Sequence, residues 1–188
     1  LYFILLNIYI GLKTVSERVF AMKIELKNLR EQDLPSLVEI CNNIDRQYMR
    51  NRMPYPYTDN DAKACWENLQ KKGEETILYK LIWVDDIPVG SISVEKQTDV
   101  YYQTGELGYC LRREYQGKGI MTKSVELMCS MAFKQLVLRR ITAHIYGPNI
   151  ASRKVAEKNN FKLEGTLAEA VVKEDKVYDL CVYGLLNR

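Results

Sequence analysis

A strand that passes into a helix through two glycines is the tightest constraint this chain places on its own fold. Gly105–Arg112 alternates like a strand, a run beginning near Gly117 has helical spacing, and Gln116-Gly117-Lys118-Gly119-Ile120-Met121 joins them. Glycine lets a backbone approach a bulky anion with no Cβ in the way. The first N–H groups of a helix lack intrahelical partners, and the helix dipole favours negative charge there, so such a turn can cradle a phosphate. Arg112, Arg113, Lys118 and Lys123 surround it, as a pyrophosphate site requires. The pattern is not a Walker A loop, and Thr122 stands where a dinucleotide fingerprint needs its third glycine. The competing reading is a glycine turn opening an ordinary helix.

Strand and helix periods alternate along the rest of the chain. Ile24–Leu29 reads as a first strand. Leu34, Leu37, Val38 and Cys41 recur at i, i+3, i+4 and i+7, which predicts an amphipathic helix with Asp33 as N-cap and Pro35 in its first turn. Arg50–Tyr57 is a proline-containing loop. Ala62, Cys65, Trp66 and Leu69 repeat the helical spacing up to Gly73. Ile77–Val84 and Pro88–Val94 are strands joined at Asp85-Asp86-Ile87. Met121, Val125, Met128, Ala132 and Leu136 share one face of a long helix. Arg140–Tyr146 is a strand and Ile150–Asn159 a helix, and Phe161–Val172 and Lys176–Leu186 close the chain as a strand pair around Glu174-Asp175. The order implies an α/β (α+β) fold, a mixed sheet covered by helices.

Hydrophobic residues at 47% and charged residues at 27% are the balance of a soluble globular protein, so 188 residues suffice for one real core. Five scattered cysteines, none in a C-x-x-C pair, read as small hydrophobes in a reduced, cytoplasmic setting. One histidine, His144, and no cysteine cluster leave no dedicated metal site. The balance of 27 basic and 24 acidic side chains argues against direct nucleic-acid binding. Leu1–Leu12 is almost wholly apolar, yet shorter than the roughly 20 residues of a membrane span and without the marks of a secretory signal. Met22-Lys23-Ile24-Glu25 reads like a natural start. Residues 1–21 are therefore taken as an extension (a vector scar, a read-through or an extra helix docked on a partner) and residues 22–188 as the domain proper.

Three runs in order carry a family likeness: Glu106-Leu107-Gly108-Tyr109-Cys110-Leu111; Gln116-Gly117-Lys118-Gly119-Ile120-Met121-Thr122; and Asn149-Ile150-Ala151-Ser152 with Glu157-Lys158-Asn159-Asn160-Phe161 and Glu164-Gly165. From about Met22 onward the chain resembles the GCN5-related N-acetyltransferase (GNAT) superfamily, and within it the RimJ/RimL branch of ribosomal-protein N-acetyltransferases. The family's Q/R-x-x-G-x-G/A pattern falls on Gln116, Gly119 and Met121, where Met121 replaces a small residue. Asn160 replaces the glycine before phenylalanine and is the next best residue at positive φ.

The resemblance implies a mostly antiparallel sheet with a splayed strand pair at the acyl-coenzyme A site. It also implies transfer of acetyl from acetyl-coenzyme A to a primary amine, on a small molecule or a protein N-terminus such as that of a ribosomal protein, by direct attack. An ammonium of pKa near ~10 must first lose a proton. Glu106, acting directly or through water, is the candidate base, and a solvated strand-end carboxylate is the alternative. Backbone N–H groups of Tyr109, Cys110 and Leu111, splayed by a bulge, are implied to hold the developing oxyanion. Arg112 and the turn Gln116, Gly117, Lys118, Gly119, Ile120, Met121 bind the cofactor, and Asn149 bonds its pantetheine arm or caps its own helix. Ser152 assists the leaving thiolate or merely sits in the first helical turn. The tyrosine many relatives carry four residues later is here Ala156. Tyr55, Tyr57 and Trp66 line the acceptor entrance or pack in the core. Lys154 and Lys158 reach toward the ribose phosphate or stay solvated, and His144 reads as structural rather than as a second base. A coenzyme A binder without transferase activity is the rival function. A monomer and a homodimer are both compatible with the sequence.

Overall fold

The computed structural model describes residues 22–188; the expected extension over residues 1–21 lies outside them. Seven strands form one sheet in the order β1-β2-β3-β4-β5-β7-β6. They are β1 Ile24–Asn28, β2 Ile77–Val84, β3 Ile87–Lys96, β4 Thr104–Leu111, β5 Arg140–Tyr146, β6 Lys162–Lys173 and β7 Lys176–Leu186. Every neighbouring pair is antiparallel except β4 and β5. Among the described residues four α-helices cover the sheet: α1 Leu34–Asn42, α2 Asp59–Lys72, α3 Ile120–Gln135 and α4 Ile150–Lys158.

Period-two alternation divides the side chains between two cores. Leu107 and Leu111 of β4 join Val125, Met128 and Ala132 of α3 and Ala156 of α4 on one face. Cys110 joins Leu37, Ile40 and Cys41 of α1 and Ala62 of α2 on the other. β2 is buried on both faces, which is why Ile77–Val84 reads as a nearly continuous apolar run. The β2–β3 and β6–β7 hairpins turn at Asp85-Asp86 and Glu174-Asp175, all four with positive φ, the backbone that tight two-residue turns demand. Asn160 too takes its expected positive φ, 63°.

Local readings fail in two places. Asp33 precedes α1, but its side chain caps nothing in that helix. Its carboxylate instead accepts from the Arg30 backbone N–H at 3.1 Å and Nε at 3.0 Å, closing the 3-10 turn Glu31–Asp33. The long helix opens at Ile120, not near Gly117, because Gly117 and Gly119 have φ of 73° and 78° and left-handed residues cannot continue an α-helix. The N-terminus of α2 shows a capping box that the sequence carries in plain view. The Asp61 N–H donates to Thr58 Oγ1 at 3.3 Å while the Thr58 N–H donates to Asp61 Oδ2 at 2.8 Å.

Candidate active site

The site grows from a fork in the sheet. The parallel ladder of β4 on β5 runs through Thr104↔Arg140, Gly105↔Ile141 and Glu106↔Thr142, and then stops. Beyond that point β4 stays with β3 as far as Gly90↔Leu111, and β5 stays with β7 as far as Tyr146↔Leu180. The expected bulge is absent, since the β3–β4 register runs unbroken from Gly105 to Leu111. Two twisted strands, each held by its outer neighbour, simply diverge.

The fork leaves polar backbone uncovered. The Arg112 N–H donates to Val89 O of β3 at 2.9 Å. Peptide groups alternate along an antiparallel ladder, so those of Gly108, Cys110 and Arg112 point at β3, and those of Tyr109 and Leu111 point into the gap. Cys110, expected among the donors, is thereby corrected: its N–H belongs to the β3 ladder. Its thiol lies 3.3 Å from Ser91 Oγ in the core.

At the far end of β4 the glycine turn faces the same gap. Gln116 Nε2 reaches back to Leu111 O at 3.4 Å and ties the turn to the strand end. Nothing lies within 4 Å of where a Cβ would stand on Gly117 or Gly119. Their φ values require glycine, and the space outside them is open at the mouth of α3. This is a cradle a phosphate can enter. The basic side chains around it divide. Arg112 is held by Glu39 at 2.8 Å and Glu114 at 2.6 Å, and Lys123 by Glu126 at 2.9 Å, so neither is free for an anion. Arg113 turns away, its Nε donating to Ile44 O at 3.2 Å. Lys118 lies 5.3 Å over the Tyr115 ring, with no carboxylate partner among the described residues.

Across the gap, Asn149 caps α4: its Oδ1 accepts from the Ser152 N–H at 3.1 Å, which leaves its amide nitrogen for a ligand. Ser152 is half-buried, and its carbonyl accepts from the Tyr109 hydroxyl at 3.4 Å. The phenol of Tyr109 thus bridges β4 to the start of α4, a contact the sequence did not suggest. Lys154 and Lys158 are exposed on α4.

Glu106 sits at the crotch of the fork, on the face opposite Tyr109. Its Oε1 accepts from Arg50 Nη2 and lies 3.4 Å from His144 Nδ1. The hydrogen bond to His144 and the Arg50 charge outweigh burial and hold its carboxyl down at about 2. Such a group stays ionised at any working pH and stores a proton poorly. Arg50 belongs to a strap, residues 46–57, that crosses this face. Lys173 of β6 pins the strap by donating to Arg46 O and, at 2.9 Å, to Met49 O. Tyr48 packs edge-on against the stacked rings of Tyr146 and Tyr178.

Of the expected entrance residues only Tyr55 stands open to solvent. It is 68% exposed and lies under the Arg46 guanidinium. Tyr57 is core, 7% exposed, its hydroxyl donating to Asp61 O. Trp66 packs beside Leu69 and Tyr79 under α2, away from the fork. Tyr57 is committed to the core, whereas Trp66 is half-buried over β1 and β2. A concavity of about 570 Å³ under Arg153, Thr166, Tyr178 and Cys181 shares none of the fork's residues. It lies beside the register break between Leu167 and Val171 and lacks the pair of positive-φ glycines at a helix mouth that the fork has.

The acetyltransferase (GNAT) domain family matches residues 23–162. The chain belongs to the GNAT acetyltransferase family. The probable N-acetyltransferase YjcK of Bacillus subtilis is 38% identical over 55% of this chain and 57% of its own length, so this chain spans little more than half of that relative. The ribosomal-protein-serine acetyltransferase of Escherichia coli is 30% identical over 85% of this chain and 90% of its own. A solved ribosomal alpha-N-protein acetyltransferase, RimL, in complex with coenzyme A has the same fold, with a TM-score of 0.75 at 21% identity over 88% of this chain and 95% of that one.

Proposed function

We propose that this GNAT protein transfers the acetyl group of acetyl-coenzyme A to a primary amine by direct attack. The observation that carries the reading is the pairing of gap-facing amides on Tyr109 and Leu111 with an open glycine cradle at the start of α3. Gly117, Lys118, Gly119, Ile120 and Met121 would hold the diphosphate through main-chain N–H groups, with the Lys118 ammonium beside them. The Asn149 amide would take the pantetheine arm. Acetyl-coenzyme A supplies an activated acyl group and a thiolate leaving group. The Tyr109 and Leu111 amides lie where negative charge on the acyl oxygen is stabilised, and the Ser152 hydroxyl lies across the gap to serve the departing sulfur. Glu106 is an anchor for the acceptor's ammonium, since its ion pair and depressed pKa unsuit it as the final base.

For the acceptor, the names of the relatives favour a protein N-terminus, with small-molecule amines as the second class. The strap and Tyr55 leave the Glu106 side of the fork reachable from solvent, which a peptide end requires. The test is thiol release from acetyl-coenzyme A with a panel of N-terminal peptides and small amines. Turnover with at least one amine supports the reading. Calorimetric binding of coenzyme A without turnover of any amine replaces transferase by binder.

A further inference from the structure

We infer that His144 is the residue that takes the acceptor's proton, with Glu106 as the positioning residue that aims it. This rests on the transfer reading above and names the base that reading leaves open. His144 is on β5, two residues beyond the last rung to β4, at the point where the gap begins. Its Nδ1 faces Glu106 Oε1 at 3.4 Å, and its side chain is 31% exposed. Nε2 has no protein partner among the described residues.

A permanently anionic carboxylate beside Nδ1 fixes the tautomer. Nδ1 carries the hydrogen and donates it to Glu106, leaving the Nε2 lone pair directed away as an acceptor. The other groups in reach do not compete. Arg50 on the strap presents donors only and has no acceptor atom. β7 sets uncharged Val182 opposite His144, and along the same face of β5 stand Thr142 and Tyr146. Ser152 and the Tyr109 ring lie on the opposite side of the sheet.

The step balances simply. One N–H bond of the acceptor ammonium breaks and its proton moves to Nε2. The freed nitrogen pair forms the C–N bond to the thioester carbon, the C–S bond breaks, and its electron pair leaves on sulfur. The imidazolium returns that proton to solvent, and the second proton, lost from the nitrogen as the amide forms, passes to the departing thiolate.

Because the chain has one histidine, tag-free protein gives a single set of imidazole ¹⁵N resonances. At alkaline pH these should report the Nδ1–H tautomer, and Glu106→Gln should abolish that preference. In turnover, His144→Gln should lower kcat/KM by about 10²-fold at neutral pH, with the loss shrinking as pH rises toward that of the free amine. Coenzyme A affinity by calorimetry should stay at the parent value, and added imidazole should restore part of the rate of His144→Ala. An Nε2–H tautomer in the parent overturns the proposal. So does His144→Gln with unchanged kcat/KM, or with a loss independent of pH and not rescued in His144→Ala by imidazole. A parent that releases no thiol with any amine instead overturns the transfer reading, and this proposal falls with it.

Discussion

Replacing Gly119 by alanine separates two reasons for having glycine in the cradle. The residue sits at φ 78°, ψ −4°. An L side chain there costs about 1–2 kcal/mol of strain, which lowers Tm by roughly 2–4 °C per kcal/mol in a domain of this size. No protein atom lies within 4 Å of the new methyl group, so no clash adds to the strain. Strain of this kind is shared by the free and bound protein and leaves affinity alone. The methyl group, however, projects into the space assigned to the diphosphate. Losing one charge-assisted amide contact, about 1.5–3 kcal/mol, weakens coenzyme A by roughly 10- to 100-fold. Gly119→Asn distinguishes the effects, because asparagine tolerates the left-handed region but still carries a Cβ. The expected pattern is a Tm largely recovered in Gly119→Asn and an affinity lost in both variants, read by differential scanning calorimetry and by coenzyme A titration. Gly119→Ala with reduced Tm and unchanged coenzyme A affinity would refute the cradle.

Glu106→Gln removes a carboxylate held at about 2 rather than its ordinary 4.5. The carboxylate stabilises the fold above the ordinary value, and that contribution fades as pH falls from 4.5 through about 2. The variant should therefore be less stable by about 1–2 kcal/mol near neutrality, after discounting for a partly exposed side chain. Urea melts from pH 7 downward should show the gap narrowing; a constant gap would contradict the ion pair. Thr58→Ala removes the capping box of α2 and should cost about 1 kcal/mol in urea unfolding; no loss would show the box to be idle. Met128→Ala, at a fully buried site in α3, should cost about 2–5 kcal/mol, and a loss under 1 would mean that the core there is loosely packed.

Much of the fold is legible in the sequence because its elements are strongly periodic and sharply punctuated. Arg140–Tyr146 and Lys176–Leu186 match their strands end to end, and the second opens right after the positive-φ turn Glu174-Asp175. The start of α3 was misread because helical spacing carries through Gly117 and Gly119, while only the backbone reveals two left-handed residues. Asp33 misled because Arg30, three residues before it, competes for its carboxylate. Within the site, strand alternation correctly sets Glu106 and Tyr109 on opposite faces. Arg50 and His144 could not be joined to Glu106 from sequence, being 56 and 38 residues away and brought together only by the strap and the fork. Tyr57 shows the converse: chain position near an entrance does not decide between lining and core, and burial does.

Residue-level hydrogen exchange with and without saturating acetyl-coenzyme A tests the central claim most directly. The account predicts slowed exchange at the amides of Tyr109 and Leu111 and across Gly117–Met121, the groups the fork and the turn leave without protein partners. Unchanged exchange at those amides, with protection appearing instead around Arg153, Thr166 and Cys181 or nowhere, would contradict it.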